Sequence, residues 1–268
     1  MSVSNAVLRF SGYLNNRVFQ FLYSPRRRHQ IIGYTALIIV WEIYGRMSSF
    51  LALAPFSEFV VAFVDLYLSG DIYGPIITSA QAAAGGYFLA IVVALPLGLA
   101  LGASDTVKHL LEQYVNVMFV TSVSSLLPLL ILIFGIGFMF KIAVVFLFCI
   151  FHMIYNFQAG VEDINKELLD AGEVYGADGI GLYRYVVLPA ALPFIIAGLR
   201  LGIGRSWRGM VVAELWIVSG IGELLRGFQH SHQTDSVMAL IFTLMIFGVV
   251  SVKLLYFAQR KLAPWKSV

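Results

Sequence analysis

The sequence predicts an all-α membrane protein with six transmembrane helices, and three observations predict it. Hydrophobic residues make up 59% of the chain and charged ones 12%, against about 25% charged in an ordinary soluble domain, so most of the chain cannot face water. No Asp, Glu, Lys or Arg occurs from Ile72 to Ser104 or from Gln113 to Phe140, and about 20 apolar residues in a helix cross the hydrocarbon of a bilayer. Of the 18 Lys and Arg residues, twelve fall in segments on one side, three (Arg46, Lys141, Arg226) in or near segments on the other, and three within the fifth span. That asymmetry is the positive-inside pattern, and it puts both termini in the cytoplasm.

Residues 1–30 carry Arg9, Arg17, Arg26, Arg27 and Arg28 and no acid, so they are expected to stay cytoplasmic as a basic segment, part of it lying on the lipid surface as an amphipathic helix. Residues 31–268 form the membrane domain. The first span is expected from Ile31 to about Tyr44, followed by an outer loop from Leu51 to Gly74 that holds no Lys or Arg. The second lies within Ile72–Ser104, where Ala94, Gly98 and Gly102 stand at four-residue spacing and let a neighbouring helix approach closely. The third is expected within Gln113–Phe140. Its middle, Thr121-Ser122-Val123-Ser124-Ser125, is polar for a span: these hydroxyls either bond back to the preceding helical turn or line a path for a polar solute.

Gly135 and Gly137 mark an outer turn, and Ile142–Val161 is the fourth span. The fifth, Ala191–Val218, places Gly198, Gly202 and Gly209 on one face, ready for a close neighbour. It also carries Arg200, Arg205, Arg208 and Glu214. Arg200, near the entry, serves as an anchor. Arg205 and Arg208 lie deeper and share a face, so they either pair with a carboxylate such as Glu214 or Glu42 or line a central path that attracts an anion. Ser219–Asp235 is expected as an outer re-entry, and Ser236–Val252 as the last span, held by Lys253, Arg260, Lys261 and Lys266.

Between the fourth and fifth spans, residues 160–190 gather charge: eight charged residues lie between Glu162 and Arg184. Ile164 to Tyr175 has helical apolar spacing at Ile164, Leu168, Ala171 and Tyr175. Gly176 is placed to stop that helix with a positive φ. A second helical segment then runs from the Gly179 and Gly181 region to Leu188-Pro189. Such a loop is a stiff knob for another protein.

At these residues the chain resembles the permeases of bacterial ABC importers. Asp170-Ala171-Gly172, Gly176, Val186 and Leu188-Pro189 are similar to the family's cytoplasmic motif EAA, three residues, G, nine residues, I, one residue, LP. The chain departs from it with Asp for Glu, Gly for the second Ala and Val for Ile. Gly198-Leu199-Arg200, Ala213-Glu214-Leu215, Gly220-Ile221-Gly222, Thr234-Asp235 and Pro264-Trp265 are similar to the nitrate/sulfonate/taurine branch, and the likeness runs from about Ile76 onward. It implies a type I importer permease fold in a bacterial inner membrane, with a coupling loop formed by Asp170, Ala171, Gly172, Glu173, Tyr175, Gly176, Leu188 and Pro189. The implied partners are a second copy of the permease, an ATP-binding subunit, an external substrate-binding protein and membrane lipids.

No Gly-Lys dipeptide occurs, so a phosphate-binding ATPase loop is absent from this sequence; ATP and magnesium are expected in the partner. No catalytic residues are expected, no metal site follows from the single Cys149 or the isolated His230-Ser231-His232, and the +3 net charge is too small to suggest nucleic acid. The translocation path is expected to include Ser122, Ser124, Ser125, Arg205, Arg208 and Glu214, with a small anion such as nitrate, bicarbonate or a sulfonate as solute. The alternatives are a permease for an aromatic or vitamin-like solute, and a secondary transporter, which would show internal repeats that this chain lacks.

Overall fold

The computed structural model describes residues 25–47 and 53–262, all helix, turn and loop. The helices are α1 Pro25–Met47, α2 Phe56–Leu68, α3 Tyr73–Ala103, α4 Asp105–Val120, α5 Leu127–Phe134, α6 Phe138–Glu162, α7 Lys166–Val174, α8 Gly179–Leu182, α9 Leu188–Ile217, α10 Ile221–His230 and α11 Thr234–Leu262. Four are long and apolar enough to cross a membrane: α3, α6, the continuous run Gly179–Ile217 and Thr234–Phe257. The α4 and Val123–Phe134 pair, bent by 91°, makes a fifth if it counts as one span. Helix α1, which carries Glu42 and Arg46, is not among them. Of the basic segment 1–30, residues 1–24 lie outside the described residues, as do Pro264, Trp265 and Lys266.

The bundle is built around α6, packed between α3 and α9. Glycines make that approach possible. A Cβ added at Gly98 would stand 2.6 Å from Phe157 Cβ, and one at Gly102 2.6 Å from Val161 Cβ. On the other side, a Cβ at Gly198 would meet Phe157 Cε1 at 2.7 Å and one at Gly209 would meet Phe148 Cβ at 2.9 Å. Both small-residue faces read from the sequence therefore point at the same helix, whose Val145, Cys149, Met153, Ile154 and Phe157 are buried between them. Among membrane helices, small residues at such interfaces add dispersion contact rather than a solvent-driven term.

Two expectations are corrected. The segment Leu51–Gly74 is not a plain outer loop: within it α2 buries Phe59, Ala62 and Leu66, a helical spacing that presents one apolar side to α11. Phe59 and Phe63 meet Phe242 with ring centroids at 5.4 and 5.7 Å. Tyr67 Oη donates to Thr243 Oγ1 at 3.3 Å. Nor is Gln113–Phe140 one straight span. The chain turns at Thr121-Ser122, where both residues leave helical geometry with ψ 132° and 111°. Thr121 Oγ1 bonds back to the Val117 carbonyl at 2.8 Å, and Pro128, without an N–H, starts the next helix.

Candidate functional site

The loop between α6 and α9 is folded by its own caps. Asn165 accepts from the Glu167 N–H at 3.1 Å and starts α7 at Lys166, two residues later than Ile164. At the other end Gly176 has φ +84°; its N–H donates to the Glu173 carbonyl at 2.9 Å, while the Ala177 N–H reaches the Gly172 carbonyl at 3.0 Å. That pair of bonds is the Schellman arrangement, which satisfies carbonyls a helix end otherwise leaves open. Gly172, where the motif has Ala, faces the following helix: a Cβ there would stand 2.8 Å from Val186 Cγ2. So α7 packs through Gly172 against the segment that precedes Pro189.

That segment is itself widened. The Leu188 N–H donates to the Tyr183 carbonyl, five residues back, directly before Pro189, which has no N–H to give. Such a wide turn relieves the clash a proline makes with the carbonyl four residues earlier. The loop buries no side chain of α7. Instead it displays Val174, Tyr175, Ile180 and Tyr185 at 85%, 92%, 86% and 70% exposure. A shallow depression of about 450 Å³ lies between Leu168, Ala171, Tyr175 and Tyr185. Asp170, Glu173 and Asp178, neighbours of these residues in the chain, are all exposed. Beside the loop, Lys108 Nζ meets Glu162 Oε1 at 2.6 Å, joining the start of α4 to the end of α6.

The arginines of α9 divide. Arg200 lies over the ring of Tyr256 on α11, 5.8 Å from its centroid, which suits the anchoring role. Arg205 is half-buried and Arg208 exposed, and neither makes an ion pair among the described residues. Of the two alternatives for them, pairing with Glu42 or Glu214 is not what the described residues show: Glu42 holds Arg46 at 2.6 Å and the Ser57 N–H at 3.0 Å. Arg208, Ser124 and Lys253 line one groove of about 1010 Å³ along α9 and α11, whose other walls include Phe148, Trp207, Met245 and Val249. Ser122 and Ser125 are exposed beside the bend, outside that lining.

Glu214 is elsewhere. It is fully buried, and Lys141 Nζ donates to its Oε1 at 2.8 Å. Ser79 Oγ donates to the same oxygen at 2.6 Å, and the Gly222 N–H to Oε2 at 3.2 Å. Its enclosure removes it from any open path in this arrangement. Lys141, expected near an outer segment, is at that end of the bundle but buried. The signal for the pair was present in the sequence as two isolated opposite charges in apolar runs, each needing a partner.

The residue pattern has close relatives. Residues 86–268 match the family model described as "Binding-protein-dependent transport system inner membrane component". A "Probable ABC transporter permease protein" of Brucella abortus (strain 2308) is 30% identical over 204 residues, covering 76% of this chain and 82% of that protein. The taurine transport system permease protein TauC of Escherichia coli (strain K12) is 32% identical over 179 residues, 66% of this chain and 65% of its own. Among solved structures, an inward-facing MetNI methionine ABC transporter chain superposes with a TM-score of 0.62 at 17% identity, over 75% of this chain and 98% of that one.

Proposed function

The chain belongs to the family of binding-protein-dependent transport inner-membrane components, and from that premise we propose that its exposed 160–190 loop is the coupling element through which a separate ATP-binding subunit drives transport. As an ABC transporter permease it is a multi-pass membrane protein and not itself an enzyme. The observation that carries the proposal is α7: a helix capped at both ends, burying no side chain of its own, with Val174 and Tyr175 presented to a partner. Apolar residues this open, flanked in the chain by the exposed Glu173 and Asp178, fit a groove on another subunit.

On this reading α1 and the bent α4–α5 pair complete six spans, the loop and both termini lie in the cytoplasm of a bacterial cell, and α2 and α10 face out. Two copies assemble with two ATP-binding subunits that carry ATP and magnesium, and an external binding protein delivers the solute. The solute is a small anion: Arg208 and Lys253 are cationic groups in a groove whose walls, Ser124 apart, are mostly apolar, and TauC is named for the transport of taurine, an organic sulfonate. A groove of that mixed character favours an organic sulfonate over nitrate or bicarbonate. The test is copurification of the tagged chain with the ATP-binding and binding proteins encoded beside it, then reconstitution. ATP-dependent uptake of a sulfonate is the expected result; uptake by the chain alone, driven by an ion gradient, refutes the coupling.

A further inference from the structure

At the end of the bundle opposite the loop, one carboxylate joins four elements. Glu214 on α9 accepts from Lys141 at the start of α6, from Ser79 near the start of α3 and from the first turn of α10. Ser79 Oγ in turn accepts the Ile221 N–H at 3.3 Å. The two leading amides of α10 are thus satisfied by Glu214 and Ser79, with the carboxylate's charge at the helix's positive end. The fit leaves no room: a Cβ at Gly220 would collide with Glu214 Oε1, and one at Gly222 would stand 2.6 Å from the Glu214 carbonyl oxygen.

The joint that carries α10 is unlike the seat. Val218 stands in the left-handed region at φ 47°, a conformation a β-branched residue rarely holds, and Gly220 follows at φ 61°. Between them Ser219 Oγ is buried with no hydrogen-bond partner among the described residues. An orphaned buried hydroxyl and a β-branched residue in the left-handed region each cost free energy, so this joint is held in place by its surroundings. A buried ion pair is in general no more stabilising than apolar side chains of the same size, and its use here is geometric: it holds in one seat only.

We propose that Lys141, Glu214 and Ser79 are positioning residues for transport: they latch α10 across this end of the bundle, and the latch opens during the ATP cycle by rotation at Val218–Gly220. The proposal goes beyond the permease reading but rests on it for the partner whose nucleotide state drives the opening. Glu223, Gln229 and His230, on the exposed side of α10, move with it.

Hydrogen–deuterium exchange on the complete complex tests this. In the wild type, segment 219–226 should exchange slowly without nucleotide and at least roughly tenfold faster when trapped with ATP and vanadate, because local opening sets amide exchange. Equal rates in the two states overturn the latch, whatever any variant does. The double variant Lys141→Met with Glu214→Gln removes both charges together. It should accumulate normally, exchange this segment quickly in both states, and hydrolyse ATP without the external binding protein. A double variant that accumulates and keeps wild-type exchange and stimulation also overturns it. Should no ATP-binding subunit copurify at all, it is the permease coupling that fails, a result distinct from unchanged exchange.

Discussion

The two ends of the bundle each carry a short amphipathic helix beside a glycine of positive φ, and they are finished in opposite ways. At one end α7 caps itself with Asn165 and Gly176, buries no side chain and leaves Tyr175 92% exposed. At the other, α10 buries Ile221, Gly222 and Leu225 and borrows its N-terminal cap from Glu214 and Ser79, residues of α9 and α3. A self-capped helix keeps its shape with an open face, which is what docking to a separate subunit needs. A helix capped by the bundle is tied to what the bundle does. Arg226 repeats the point, donating to the Leu215 carbonyl and so closing the end of α9 with a side chain of α10.

The sharpest way to break this contrast is to strand a charge. Glu214→Ala leaves Lys141 buried without its counter-charge, a loss of about 3–5 kcal/mol. Membrane abundance, read by fluorescence size-exclusion chromatography, should collapse; normal abundance would mean the seat is not structural. Next comes the glycine comparison. Gly222→Ala forces a methyl against Glu214 and should cost about 1–3 kcal/mol as overpacking, lowering the melting temperature of the detergent-solubilised protein. Gly176→Val puts a β-branched residue at φ +84° and costs about 1–2 kcal/mol, confined to the loop. Its spans should persist while the ATP-binding subunit is lost on purification. A Gly176→Val protein that keeps its ATPase and its substrate-stimulated hydrolysis removes the coupling assignment.

Smaller effects sharpen the contrast further. Tyr175→Ser removes an exposed ring and should leave stability within about 0.5 kcal/mol, yet weaken retention of the ATP-binding subunit in a salt-graded pulldown. Arg208→Gln should preserve abundance and basal ATP hydrolysis but lower anion uptake. The deficit should be larger at low ionic strength, where a positive lining acts over a longer range. Equal uptake by wild type and variant at every salt concentration would take Arg208 out of the path.

How much of this was legible beforehand depends on whether the cause is local. The charge-free run Ile72–Ser104 became α3, Tyr73–Ala103, because apolar length and the need to bond every backbone amide leave a helix as the outcome in lipid. Gly176 as the stop of α7 was legible because the left-handed region selects glycine. The glycine faces of α3 and α9 were legible too, since helical periodicity alone sets them on one side. The helix within Leu51–Gly74 was not: the absence of Lys and Arg marked it as an outer segment, while the spacing of Phe59, Ala62 and Leu66 was the available sign that it packs.

Sequence by itself determined the class of the protein, the long apolar helices α3, α6, α9 and α11, the Gly176 stop of the loop helix and the presence of unpaired charge in apolar runs. Only the tertiary structure decided which charges meet. Arg205 and Arg208 share a helix with Glu214, yet Glu214 pairs with Lys141, 73 positions away, while Arg208 opens onto the groove with Ser124 and Lys253. Likewise the hydroxyl-rich Thr121–Ser125 stretch announced polarity, but the 91° bend there and its place beside α9 came from packing. The reason is physical: a single charge in an apolar run states that a partner is needed, whereas the partner's identity follows from the rotation and register of helices packed through glycine, and those are settled only when the bundle closes.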